Sequence, residues 1–392
     1  MKRFLRTSTF VCVVAMFAVL FLKGGVGKAS GAVPFKLLSS VTAVSANDIW
    51  AVGYSFSSGA EQLLIEHWNG VQWSIVSAPN PITGASSDVL NSVTEVSAHD
   101  VWAVGGFTDS NGNVQPLIEH WNGRQWSIVP SATPPVGFIS GGLGGIEEVS
   151  ANDIWAVGDF SRLTVKNSST LIEHWNGKKW SIVVSPNAAG ATFSFLNGIT
   201  AVSSHNIWAV GAVLYPSNIE QPLIEHWNGK QWSIVASPNT GSNTDSLNGV
   251  AEVSAHNVWA VGSVSSALTE HWNGSTWNIV ATPEPAGSVG STRVGIAEVS
   301  AHDIWTVGSY MTVTGDVGTN HTLTEHWNGR TWSIVPSPNS GPNDNDSLFA
   351  VAEVSANDVW AVGALFSNSS SAGQSLIEHW DGVQWSIIPG PS

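Results

Sequence analysis

Glu225 and His226 stand side by side in "LIEHWNGKQW" (223–232), with Trp227 directly after them. A carboxylate beside an imidazole is material for general acid–base chemistry, because the carboxylate orients the ring or shares its proton. The same pair also offers two ligands toward a zinc site, which needs three or four converging within about 2 Å of the metal. The triplet recurs, however, as Glu66-His67-Trp68 and again at 119–121, 173–175, 270–272, 325–327 and 378–380. One reaction centre calls for one special constellation, and seven equal copies do not provide it. If each repeat places its His on one strand of a ring, neighbouring His stand too far apart to share a metal. Glu66, His67, Trp68, Glu225, His226 and Trp227 are therefore read as structural repeat residues. No catalytic residue and no metal ligand is assigned, and no cofactor is expected.

The elements that position the triplet repeat with it. "IWAVG" or a close variant puts Trp at 50, 102, 155, 208, 259, 305 and 360, and a third Trp follows each Glu-His-Trp by five residues. Three per unit over seven units account for all 21 Trp in the chain. Each unit of about 51 residues falls in the length range of propeller repeats. In the fifth, "GVAEVS" alternates apolar positions as a first strand, "VWAVG" is a β-branched and aromatic second, and "LTEHW" is a third. Asn273-Gly274 then turns the chain into "WNIV", since Asn and Gly both accept the positive φ of a tight hairpin. Pro-rich "ATPEPAGS" ends the unit. The expectation is an all-β, seven-bladed β-propeller of four-stranded antiparallel blades. The blades are placed at approximately 35–80, 81–133, 134–187, 188–239, 240–285, 286–339 and 340–392.

First strand, tight turn, "IWAVG", variable loop, "xEHWNGxxW" and a Pro-ended outer strand together resemble the kelch repeat, as in bacterial secreted propellers. The resemblance covers all seven units, roughly Phe35 to Pro389. It implies the blade architecture. Only the second unit keeps the kelch Gly-Gly, as Gly105-Gly106, and the turn before the last Trp is shorter than in that repeat. Unit one begins with its innermost strand and unit seven ends with its outermost. Ring closure is thus expected from side-chain packing and not from an exchanged strand.

Strand residues alternate faces, so in "LIEHW" the Leu, Glu and Trp share one face while Ile and His share the other. Adjacent blades cover both, which suggests interblade pairs for the Glu and the His alike. The innermost strands carry Glu95, Glu148, Glu252, Glu298 and Glu353 at one equivalent position, with Ala43 and Ala201 in the other two units. Leaning into a channel, these would form an acidic ring able to hold a cation. Leaning between blades, they would be satisfied by backbone amides. "PNDNDS" (342–347) is a weak calcium candidate, lacking the Gly and distal Glu of the calcium-loop pattern.

The first 32 residues read separately. Lys2, Arg3 and Arg6 precede an unbroken apolar run from Phe10 to Leu22, and Ser30-Gly31-Ala32 offers a cleavage site, the pattern of a secretory signal. The run is short for a membrane span of about 20 residues, with a short N-terminal anchor as the alternative. Cleavage would remove Cys12, the only cysteine, leaving a chain without disulfides. It would also remove five Lys/Arg, leaving nine basic against 29 acidic residues, a formal net charge of −20. That charge argues against nucleic acid and anionic lipid as partners, and no later stretch is apolar enough to span a membrane. Asn167 and Asn368 lie in N-x-S/T sequons.

Enzyme chemistry finds little material. A copper oxidase resembling galactose oxidase needs a Cys–Tyr crosslink, whereas the processed chain has no Cys and only Tyr54, Tyr215 and Tyr310. A sialidase needs three clustered Arg, and only Arg124, Arg162, Arg293 and Arg330 remain. A carboxylate-pair glycosidase is compatible with the composition, although no unit carries a distinctive acidic pair in place of repeat residues. The reading is a secreted binding or scaffold propeller recognising a protein or surface ligand through the rim that carries its variable loops. The alternatives are a multivalent lectin with interblade sugar sites and, after it, a glycoside-acting hydrolase or lyase.

Overall fold

The structure, a computed structural model, describes residues 34–391 except 58, 82–86, 135–136, 163–166, 239, 264–266, 316 and 368–372. The expected secretory leader with Cys12 and its expected cleavage position, and the sequon at Asn368, lie outside the described residues. Twenty-eight strands form seven four-stranded sheets in which sequence order is spatial order. Blade four shows the unit, with antiparallel strands Phe193–Ser203, Asn206–Leu214, Glu220–Trp227 and Trp232–Val235. The seven first strands stand innermost and line a central channel of about 180 Å³, bordered by Ser40, Ser92, Gly145, Gly198, Gly249, Gly295 and Ala350. The expected fold class is the one observed.

The turn between third and fourth strands differs in detail from the expected Asn-Gly hairpin. Trp68 pairs with Trp73, so the loop is the four residues 69–72. Only Gly70 takes a positive φ, of 86°. Asn69 instead uses its side-chain Oδ1 to accept the Val71 and Gln72 amides, both at 3.0 Å. A Cβ on Gly70 would stand 2.5 Å from Oδ1 of Asn47 in the neighbouring turn of the same blade. The two constant turns of a blade therefore pack on each other, on one rim. The Gly that ends "WAVG" has another cause. At Gly53 a Cβ would lie 2.0 Å from the Leu37 carbonyl, where a register shift brings the first strand close. That approach recurs in every blade, whereas Gly106, the next residue in blade two, has no such constraint and is matched in other blades by Tyr54, Asp159 or Ala212.

The core lies between blades. Trp208, Val210 and Ile224 of blade four pack with Leu247, Val250, Val258, Leu268 and Trp277 of blade five. Blade one closes on blade seven the same way, through Leu38, Val41, Ile49 and Trp73 against Trp360, Val362 and Ile377. No strand is exchanged between these two sheets. The Lys36 Nζ donates to the Pro391 carbonyl at 3.2 Å, and the Gly373 amide to that of Pro34 at 3.4 Å. Among the described residues no helix is long and apolar enough to cross a membrane.

Candidate functional site

The Glu of the triplet sits on the third strand, in the blade interface. All seven, Glu66, Glu119, Glu173, Glu225, Glu270, Glu325 and Glu378, are fully buried. Several reach the preceding blade. Glu66 accepts from Ser375 Oγ of blade seven at 3.2 Å. Glu173 accepts from Ser131 Oγ at 2.7 Å and the Ala132 amide at 2.9 Å, and Glu270 from Ser237 Oγ at 2.8 Å. Loss of solvent pushes the carboxyl of Glu66 up to about 7, Glu119 to about 8, Glu225 to about 8 and Glu270 to about 7. A carboxyl so buried is far more protonated near neutral pH than one in water.

The His does not pair across blades as its strand face suggests. His67 Nε2 meets Asp48 Oδ1 at 2.7 Å, at the start of the second strand of its own blade. His120–Asp100, His174–Asp153, His326–Asp303 and His379–Asp358 repeat the pair at 2.7–2.8 Å. In blades four and five the acceptor is Asn206 or Asn257 Oδ1, so there the imidazole nitrogen must donate. The ring also stacks on the blade's own second-strand Trp, 4.1 Å from Trp50 in the case of His67. That Trp then meets two Trp of the next blade. Trp50 lies 5.0 Å from Trp121 and 5.4 Å from Trp126, and Trp360 lies 5.2 Å from Trp68 to close the ring. The Trp are interblade as expected, whereas the His stiffen each blade internally. Among the described residues no group of three or more His, Cys, Asp or Glu is placed to hold a metal.

Of the candidate acidic ring, Glu148 accepts from the Thr94 hydroxyl of the preceding blade. The backbone amides that stabilise Glu252 and Glu353 belong to Val202 and Trp305, again one blade back. Burial, with neighbouring carboxylates adding to it in all but Glu298, raises Glu95 to about 8, Glu252 to about 8, Glu298 to about 7 and Glu353 to about 9. None of the five is among the residues lining the section of about 180 Å³ of the central channel. Beside them stands Glu147, which the repeat comparison passed over although the other blades carry Thr or Ala there. Burial and the fields of Glu148, Glu298, Glu95 and Glu252 push its carboxyl well above the usual range. In "PNDNDS", Asp346 is fully buried and accepts from Ser340 Oγ at 2.9 Å, a loop-fixing role.

Two site features were not expected. Arg293 is fully buried at the position where the other blades carry Leu38, Leu90, Leu143, Leu196, Leu247 and Leu348. It grips Glu325 through Nε at 2.6 Å and a terminal nitrogen at 2.7 Å, and donates to the Pro283 carbonyl at 3.0 Å. The signal was present as a lone Arg in a leucine column. Blade seven also places Asp346 close enough to Glu378 for its charge to push that carboxyl up. Glu378 is itself a repeat residue and Asp245 acts on Glu270 in the same way in blade five, so the pair is not peculiar to one unit, and both members are fully buried.

No protein-family model and no curated protein sequence matches the chain. Solved structures do. An ulvan-degrading polysaccharide lyase matches at 12% identity and TM-score 0.56, over 88% of this chain and 94% of that one. YCF48 from Cyanidioschyzon merolae matches at 12% and 0.50, over 85% and 96%, and a YCF48 structure with bound D1 peptide at 12% and 0.50, over 86% and 96%. At such identities the likeness shows the fold alone.

Proposed function

We propose that the chain is a secreted, non-enzymatic binding propeller of kelch-like blade pattern, recognising a protein or surface ligand through its variable rim. The carrying observation is the inequality of that rim on an otherwise repeated frame. In blade six the second and third strands run Asp303–Thr314 and Val317–Trp327, 12 and 11 residues. In blade five they are Asn257–Ser263 and Ala267–Trp272, seven and six. The longer hairpin exposes Met311, Val313 and Val317, with Val289 beside its base. Exposed apolar side chains on a raised element of a rigid scaffold suit recognition better than folding. The YCF48 structure with bound peptide is an instance of peptide binding on this architecture.

The lectin reading draws on the half-buried third-strand Trp, whose indole edges reach the opposite rim. The two readings separate experimentally. Peptide-display and glycan-array screens are run on the full chain and on a variant with its blade-six hairpin cut to blade-five length. Peptide binding lost with the hairpin supports the proposal. Absence of peptide binding, together with binding of neutral glycans that survives the cut and fails on substitution of Trp121, Trp175 or Trp227, replaces it with the lectin.

A further inference from the structure

Formal charge and surface charge differ in this propeller. The seven interface Glu are fully buried, and burial holds several at or above neutral pH. Part of the acidic surplus that argued against anionic partners is therefore internal. The basic residues are placed the other way. Of nine Lys/Arg after residue 33, four lie in the Asn-Gly turns of blades two to four: Arg124, Lys178, Lys179 and Lys230. All four are exposed, and exposed His99 and His205 flank them in the partner turns. The acids that follow the partner turns of blades two and three, Asp100 and Asp153, are each already engaged by a His at 2.8 Å. On the same rim, blades seven and one present Val383, Val71 and the exposed Asp381 instead.

We propose that the constant rim of blades two to four binds a linear polyanionic polysaccharide of the polyuronate kind. This surface is distinct from the variable rim. Asn122, Asn176 and Asn228 fix each turn by accepting two backbone amides, at 3.0–3.2 Å, so the charges are carried on a stiff frame. Beside each turn stands a half-buried Trp (Trp121, Trp175 or Trp227) able to meet the apolar side of a sugar ring. One or two cations per blade, spaced by a whole blade, suit a chain with one carboxylate per sugar. Duplex DNA, with a charge about every 1.7 Å, calls for a denser array. A lipid surface is best met by about four to eight clustered cations, and the exposed valines of these turns, Val71 and Val383, lie outside blades two to four.

The test uses the full chain and immobilised polygalacturonate, with neutral dextran as the control polymer. The variant R124S/K178S/K179Q/K230S takes its residues from other blades, Ser275 and Gln125 occupying the equivalent positions, so the turns keep their fold. Binding of polygalacturonate, weakened by salt and about tenfold weaker in this variant, is the expected result, with R330S in blade six nearly unchanged. Absence of wild-type binding, equal affinity in the quadruple variant, or tighter binding to duplex DNA or phosphatidylserine vesicles would each overturn the proposal.

Discussion

Arg293→Leu installs at the one deviating position the residue that six blades already carry. The guanidinium and Glu325 are both fully buried and joined by contacts of 2.6 and 2.7 Å, so removing the cation strands a carboxylate. A lone buried charge costs about 3–5 kcal/mol, but the carboxyl has a cheaper escape, which is to take up a proton. From an ordinary value of about 4.3, protonation at pH 7 costs about 3.7 kcal/mol at 1.36 kcal/mol per unit. The buried Leu returns about 1.5–3 kcal/mol by leaving water. The net loss is then about 1–2 kcal/mol at neutral pH, vanishing or reversing near about pH 5, where the proton is nearly free. Burial already raises Glu325 against the opposing pull of Arg293, so losing that pull moves it further in the same direction. Guanidinium unfolding followed by Trp fluorescence at three pH values reads the difference. An equal loss at about pH 5 and about pH 8 would refute the reasoning, since it would mean that the lost stability does not come from an ionised Glu325.

Other outcomes follow from the same interfaces. Glu66 and Glu270 near 7, Glu119, Glu225, Glu95 and Glu252 near 8 and Glu353 near 9 bind protons in the folded chain that the unfolded chain releases from about 4.5 upward. Their stabilisation is complete below that value and lost as pH rises through 7 to 9, so Tm should fall steadily from about pH 5 to about pH 9. A Tm maximum at alkaline pH would contradict this. Gly229→Ala puts a side chain at a φ of 85° and 2.5 Å from the His205 ring, and should cost about 1–3 kcal/mol in denaturant unfolding. Trp360→Ala opens the one seam whose two blades are not joined by a chain connection. It should cost about 3–5 kcal/mol and raise protease sensitivity more than Trp208→Ala at an internal seam, by limited proteolysis.

The period, the blade order and the interblade role of Trp could be read from the chain because each rests on residues seen seven times. What escaped depended on geometry that a repeat does not record. His67 and Asp48 are 19 residues apart, and only the hairpin register brings them together. Strand alternation names a face for the His but not the partner standing on it. The acidic ring residues carry a pattern compatible with a channel or an interface, and only the folded chain shows Glu148 in contact with Thr94 of the preceding blade. Arg293 and Glu147 were visible as exceptions within columns, but a consensus averages exceptions away.

Closure without an exchanged strand has a consequence for how the molecule is mounted. Phe35 starts an inner strand and Pro391 follows an outer one, so both ends of the described chain emerge on the variable rim, held together through Lys36. If the apolar leader is kept as a tether, the propeller stands with its unequal hairpins toward the bilayer and its basic turns facing the medium. If the leader is cut, both faces are free. Leader processing would then act as an orientation switch, setting which rim a soluble polymer reaches and which is kept for whatever lies at the cell surface.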